Sequence, residues 1–245
     1  MVFLVSVLCS FLLAIDWGMG YSKAGEPPAG SMPSEALAQY GALYMGDPEK
    51  KTIYLTFDAG YESGSTAKML DTLKEKGVKT AFFVVGNFID NNPDLVRRLL
   101  EEGHTVLNHT NRHPDMSQIS DRDAWLKELN TLAAKFKEVT GRDMPKIYRP
   151  PSGKFSERCL KYASEEGYKT VFWSVAYVDW MQDSQPSREA AMSKLTKRIH
   201  PGAIILLHNT SGTNAEILGE LIDVYREMGY EFGVLEELLE ERLGA

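Results

Sequence analysis

Apolar positions along this chain follow two rhythms that alternate. Short uninterrupted runs, rich in β-branched and aromatic residues, recur at positions 52–57, 80–85, 104–108, 147–149, 170–173, 203–207 and 230–234. Each is too short for a helix and apolar at successive positions, which predicts strands covered on both faces. Between them lie stretches with apolar residues on one helical face. Trp125, Leu129, Leu132, Phe136 and Val139 form such a face within 121–140. Others are predicted at 65–76, 156–167, 187–198, 214–229 and 235–243, and after Asn92-Pro93. Gly77, Gly103 and Gly141 punctuate three helix ends, and Asn92 is expected as an N-cap with Pro93 at the first helical position.

Strand and helix alternating seven times predicts an α/β fold with a parallel sheet under helices. Such a sheet is either open and doubly wound or curled into a distorted, incomplete (β/α)7 barrel. No Gly-x-Gly-x-x-Gly follows the first strand, so the dinucleotide-binding fingerprint is absent. In a parallel barrel, reactive groups gather at the carboxyl ends of the strands. The chain puts Asp58 after its first predicted strand, His109 after the third, Arg149 at the end of the fourth and His208 after the sixth.

Composition narrows the picture. With 245 residues, 43% of them hydrophobic, the chain supports one substantial core. A net charge of −7 without a basic run argues against a nucleic-acid partner and against docking on anionic lipid, and leaves neutral glycans open. The two cysteines, Cys9 and Cys159, make no disulfide framework. Residues 1–24 resemble an export signal: an apolar run from Val2 to Ile15, then small residues at Gly18, Gly20, Ser22 and Ala24 as cleavage positions. The basic start of such a signal is missing, and an uncleaved anchor or a buried first helix competes. Residues 25–50, rich in Gly, Pro, Ser and Ala, are expected to be a linker or arm, and 51–245 the catalytic domain.

Several local patterns carry chemistry. His109 and His113, four apart, can share one metal ion through their imidazoles, or be two surface histidines. Thr110 stands where a zinc protease of the His-Glu-x-x-His type needs glutamate, so that activity is excluded. Arg149, before Pro150-Pro151-Ser152-Gly153, is placed to clamp a carboxylate or to form a structural ion pair. Asp179 can orient a histidine. Trp180 is a sugar-stacking surface or plain core, and His208 a general acid or a buried histidine.

In order, Thr56-Phe57-Asp58-Ala59-Gly60, His109 through His113-Pro114, Arg149 through Gly153, Asp179-Trp180 and Leu206-Leu207-His208 resemble the five motifs of the polysaccharide deacetylase family. The resemblance runs from Lys51 to the C-terminus and is closest to peptidoglycan N-deacetylases of spore-forming bacteria, which act on muramic acid. It implies a distorted, incomplete barrel and amide hydrolysis of peptidoglycan N-acetylmuramic acid outside the cytoplasm. Glycan strands are the implied partner, and no protein partner is implied.

By position, the resemblance makes Asp58 the general base, with Arg149 orienting it. His208 becomes the general acid, with Asp179 tuning it. His109 and His113 become ligands of a divalent metal, zinc being the expected ion. A backbone N–H near Ser152 serves the oxyanion, and Trp180 and Leu206 line the acetyl pocket. Ala59 departs from the family, where a second aspartate is usually the third metal ligand, so the ion is expected to be weakly held. The readings that compete are an N-acetylglucosamine deacetylase and a catalytically silent glycan-binding relic.

Overall fold

The computed structural model describes residues 14–244. The expected export run, Val2 to Ile15, lies outside the described residues except at its last two positions. Among these residues ten strands form: β1 (Ile15–Asp16), β2 (Ala42–Leu43), β3 (Thr52–Ala59), β4 (Ala81–Val84), β5 (Thr105–Asn108), β6 (Ile147–Tyr148), β7 (Lys154–Phe155), β8 (Lys169–Val171), β9 (Ile204–His208) and β10 (Glu231–Phe232). Among the described residues nine helices accompany them: α1 (Ser34–Ala38), α2 (Thr66–Lys76), α3 (Gly86–Asn91), α4 (Pro93–Glu101), α5 (Arg122–Thr140), α6 (Glu157–Glu165), α7 (Arg188–Arg198), α8 (Gly212–Glu227) and α9 (Leu235–Leu243). No helix among the described residues is long and apolar enough to cross a membrane.

The sheet is parallel and curls into the distorted, incomplete barrel. Its order is β10-β3-β4-β5-β6-β8-β2, with β9 also paired to β3. Two improvised contacts span the gap between β8 and β9. Val175, just past β8, bridges Ile205, while β2 pairs with β8 and Met45 bridges Ala203. Alternation along β3 sorts side chains by face. Ile53, Leu55, Phe57 and Ala59 join the helix-facing core with Phe82, Val84 and Val106, whereas Tyr54 joins the inner cluster with Phe83, Leu107 and Ile204. Leu235, Leu238 and Leu239 of α9 belong to that inner cluster and cover its base.

The parity that buries Tyr54 inside also turns Thr56 and Asp58 inward. Pairing then places Asp58 directly opposite His208, and Val84 opposite Asn108. Parallel strands carry all these carboxyl ends to one rim.

Three expectations need correction. Residues 25–50 are the arm and not the free linker: they supply α1 and β2 and help to close the barrel. Nor does the stretch from Ile15 to Ala24 stand apart, because β1 pairs with β7 and Trp17 is buried. Composition misled here, since Gly30 serves close packing rather than flexibility: a Cβ on it would meet the Trp17 ring at 2.3 Å. Asn92 does not cap α4; its amide instead donates to Phe88 O of α3, a short helix that the sequence pattern did not predict. Asp121, Ser156 and Ser187 do cap the helices that follow them.

The turn into β9 tests this packing. Gly202 has φ +76°, and a Cβ there would meet Asp47 O and Gly46 C, both at 2.8 Å. Because both obstacles are backbone, Gly202→Ala is expected to destabilise the protein by more than about 1 kcal/mol. Denaturant unfolding of the variant checks this, and an unchanged midpoint would contradict the placement of that turn.

Candidate active site

Arg149, on the residue after β6, has no exposed surface. Its Nη1 donates to Asp58 Oδ1 at 2.8 Å and its Nη2 to Thr56 Oγ1 at 3.0 Å. Its Nε donates to Val171 O at 3.2 Å, and the guanidinium lies 4.0 Å from the centre of the Phe83 ring. One buried cation therefore joins β3, β4, β6 and β8. Burial pushes the Asp58 pKa up, but His109, Arg149 and His208 together outweigh it and hold the carboxyl below its ordinary value.

His109 is buried beside Asp58. Its Nδ1 lies 2.8 Å from Arg149 O, an acceptor only, so that nitrogen carries the proton and donates. Its Nε2 is then a bare lone pair, and it sits 3.4 Å from Asp58 Oδ2, a second acceptor. Burial lowers the His109 pKa to about 4, so no ring proton settles this confrontation at neutral pH. Two facing acceptors are the signature of a place for a cation or a donating water.

His113 is exposed at the mouth, its ring 4.9 Å from that of His109. The turn between them is held by buried polar groups. Asn108 Nδ2 donates to Leu129 O, and its Oδ1 accepts from the Thr110 N–H. Glu128, buried on α5, accepts from the Arg112 N–H at 2.9 Å and from Arg112 Nε at 2.7 Å. The imidazoles suit a borderline-soft divalent ion in kind. They fall short in number: among the described residues no group of three or more metal-ligating side chains gathers. Ala59 cannot make up the difference, since its methyl lies wholly buried in the helix-facing core.

Across β3, His208 is partly exposed and fixed from behind. Its Nδ1 meets Asp179 Oδ1 at 2.7 Å, and its N–H donates to Asp179 Oδ2 at 2.8 Å. Asp179 is itself buried and accepts from Asn214 Nδ2 at 2.6 Å, while the Tyr177 hydroxyl donates to Asn214 Oδ1. Burial pulls the His208 pKa down. The bond to Asp179 and the charges of Asp179 and Asp58 overcome that and leave it raised.

These groups share one cavity of about 470 Å³, within the range of small-molecule sites. Asp58, His109, His113, Ser152, Trp180, Leu206 and His208 line it directly. Arg149 and Asp179, also expected from the sequence, stand behind Asp58 and His208. Trp180 is 51% exposed, which favours a contact surface over core. Thr56, Glu128, Asn214, Tyr61 and Trp173 were not anticipated; the first three brace site residues and the last two line the cavity. Glu128 had left a signal, as a polar residue on the otherwise apolar face of α5.

A curled parallel barrel that gathers a carboxylate and imidazoles in one cavity at its carboxyl rim is the architecture of a hydrolase, and the comparisons give its family. The chain belongs to the polysaccharide deacetylase family, whose profile matches residues 45–171. The peptidoglycan N-acetylmuramic acid deacetylase PdaA of Bacillus subtilis is 42% identical over 93% of this chain and 87% of that protein. Its solved structure, a family 4 carbohydrate esterase, superposes with a TM-score of 0.89, covering 94% of this chain and 98% of that one. A Bacillus cereus peptidoglycan N-acetylglucosamine deacetylase is 31% identical over 85% of this chain and 75% of that protein. Also similar is a Bacillus anthracis pseudoenzyme of the family in a mutant form with restored activity (30% identity, TM-score 0.75, 82% of this chain and 71% of that one).

The buried ion pair yields a prediction. Arg149→Met strands the Asp58 carboxylate and is expected to cost about 3–5 kcal/mol. Adding Asp58→Asn removes the stranded charge and should recover part of that loss. Denaturant melts of both single variants and the double variant measure the coupling. Simple additivity would mean the pair is not what holds the rim.

Proposed function

We propose that this chain hydrolyses the N-acetyl group of N-acetylmuramic acid in peptidoglycan, releasing acetate, in the formation of spore-cortex muramic δ-lactam. One observation carries the reading. Asp58 and His208 face one cavity from adjacent strands, and their surroundings bias them oppositely, the first toward the ionised form and the second toward the protonated form. A base beside an acid is what amide hydrolysis requires.

Asp58 takes a proton from water as its oxygen attacks the acetamide carbonyl carbon. The tetrahedral intermediate collapses as His208 Nε2 gives its proton to the sugar nitrogen and the C–N bond breaks. Acetic acid and the free amine leave, the acid passing its remaining proton to the amine or to solvent to become acetate, and return of the proton from Asp58 to His208 through solvent resets the pair. Arg149 holds Asp58 in its ionised state and orientation, and Asp179 fixes the His208 tautomer. The Gly153 N–H is already given to Pro150 O, so the Ser152 N–H is the amide of that turn assigned to the oxyanion. Leu206 and Trp180 are assigned to the acetyl methyl. His109 through Nε2, together with His113, would hold a divalent ion, zinc by donor type, and such an ion would polarise the acetamide carbonyl. With two imidazoles it is weakly held.

Support for muramic acid over glucosamine comes from the greater similarity to the muramic-acid-specific relative. Export follows from a substrate that lies outside the cytoplasm and from the apolar Val2–Ile15 run.

Incubation with glycan strands, followed by mass analysis of the saccharides, is expected to show one acetyl lost per muramic acid. Acetylglucosamine loss instead would shift the reading to the other sugar. Asp58→Asn and His208→Ala should each lower kcat by about 10²–10⁴-fold; undiminished turnover in either would remove it from the mechanism.

The pH profile gives a further check. His208 must be protonated to act, so activity falls as pH rises through its folded pKa. Asp179 raises that pKa. Asp179→Asn should therefore move the alkaline limb of kcat/KM to lower pH, and a limb that stays put would separate Asp179 from the acid.

A further inference from the structure

Two walls of the cavity, the turn that carries Ser152 and Trp173, are tied to the same residue from behind, and that residue lies far upstream of every motif. Trp17 donates its backbone N–H to Gly153 O at 2.9 Å and its indole Nε1–H to Trp173 O at 2.9 Å. Its ring stacks on Phe172, with centroids 4.4 Å apart, and packs against Tyr44 at 5.0 Å. Only 6% of it is exposed.

The turn that Trp17 supports is one that would not keep its shape unaided. Ser152 has φ +54°, a left-handed conformation that L side chains rarely adopt, and Gly153 follows at φ +68°. A Cβ on Gly153 would meet Trp17 Cβ at 2.9 Å and Trp173 Cη2 at 2.8 Å, so the turn is wedged between two tryptophans. Trp17 is clasped in turn. β1 pairs with β7, joining Ile15 to Phe155 and Asp16 to Lys154, immediately after the wedged turn. Behind it, the Ser31 hydroxyl accepts from the Gly18 N–H at 2.8 Å and donates to Asp16 O at 2.9 Å, while Met19 bridges Gly30.

We infer that Trp17, held by the strap of residues 15–31, is a positioning residue that sets the Ser152 turn and the Trp173 wall of the deacetylase cavity. The inference builds on the proposed deacetylation for its kinetic consequence and on geometry alone for its structural one. Trp17 touches no substrate. It acts by fixing the amide assigned to the oxyanion, where a shift of about 1 Å can cost on the order of 100-fold in rate. It follows that removal of residues up to 24 would strip the wall from the site.

The test uses the full chain with Trp17→Phe, which keeps the ring stack and loses the indole donor, and Trp17→Ala, which loses both. Amide hydrogen exchange is followed in peptides covering 150–156 and 171–175, alongside acetate-release kinetics on glycan strands. Expected is exchange in both segments faster by about tenfold or more in the Ala variant and intermediate in the Phe variant, with the helix α8 unchanged. Turnover should follow the same order, with kcat falling about tenfold or more in the Ala variant and KM moving less than kcat.

Unchanged exchange in both segments overturns the inference whatever the activity. An active enzyme whose kcat is indifferent to both variants overturns it as well. If the parent chain releases no acetate while exchange responds as described, the positioning role stands and the deacetylation reading falls. Should Trp17→Ala not fold, Trp17→Phe alone decides, since its lost hydrogen bond must quicken exchange in 171–175.

Discussion

A guanidinium withdrawn from water is the constraint on which this molecule turns. Dehydrating Arg149 costs several kcal/mol, and only close, well-aimed partners offset such a cost. The offset comes from Asp58, Thr56, two backbone carbonyls and the face of Phe83, supplied by β3, β4 and the end of β8. Each partner must be in place for the others to count, so the contact fixes how the strands meet at the rim. It also reaches beyond its own side chain. The carbonyl of Arg149 accepts a hydrogen bond from the His109 Nδ1–H and so decides which imidazole nitrogen looks into the cavity. Arg149 joins His109 and His208 in offsetting the burial that would raise the Asp58 pKa, and the Asp58 charge in turn helps to raise that of His208. Fold, tautomer and acid–base bias follow from one buried charge.

Much of this was legible in the residues. Strand runs and helix faces are short-range patterns, and every one of the seven predicted strands exists, with ends shifted by a residue or two. The rim residues could be picked out because a parallel barrel sends all its carboxyl ends one way, so Asp58, His109, Arg149 and His208 needed no distances to be grouped. What escaped is long-range. Asn214 sits at a helix start that looks ordinary, and nothing local says that it will brace Asp179 from 35 residues away in sequence. Glu128 was readable in principle, since a polar residue on an apolar face demands a buried partner. The strap was misjudged for a different reason. Glycine and proline imply flexibility only when nothing packs against them, and Gly30 lies under the Trp17 ring.

Backbone strain tells the same story independently. Among the described residues, the non-glycine positions with positive φ are Thr110, His113 and Ser152. All three lie in the two turns that carry the imidazole pair and the cavity wall. Such conformations cost ~1–3 kcal/mol each and persist only where surroundings over-determine them. The surroundings are identifiable here: Asn108 and Glu128 for the first turn, Trp17 and Trp173 for the second. Buried side chains far from any substrate thus hold reactive groups in positions that their own backbones disfavour.

Ala59 sharpens the choice between enzyme and relic. A methyl packed in the helix-facing core contributes nothing to an ion, so the imidazole pair is one ligand short, as a decaying site would be. Decay, however, should not spare the parts that only turnover needs. Asp179 serves no fold-level purpose that a neutral residue would not serve better, because a buried carboxylate costs free energy unless something is gained from its charge. Here its charge is spent on a histidine that opens onto the cavity, backed by Asn214 and Tyr177 in a chain with no unpaired member. A glycan-binding surface would need the exposed Trp180 and Tyr61 and could discard the rest. The costly half of the site is the buried Asp179–His208 pairing, and its integrity weighs for an enzyme and against a binding relic.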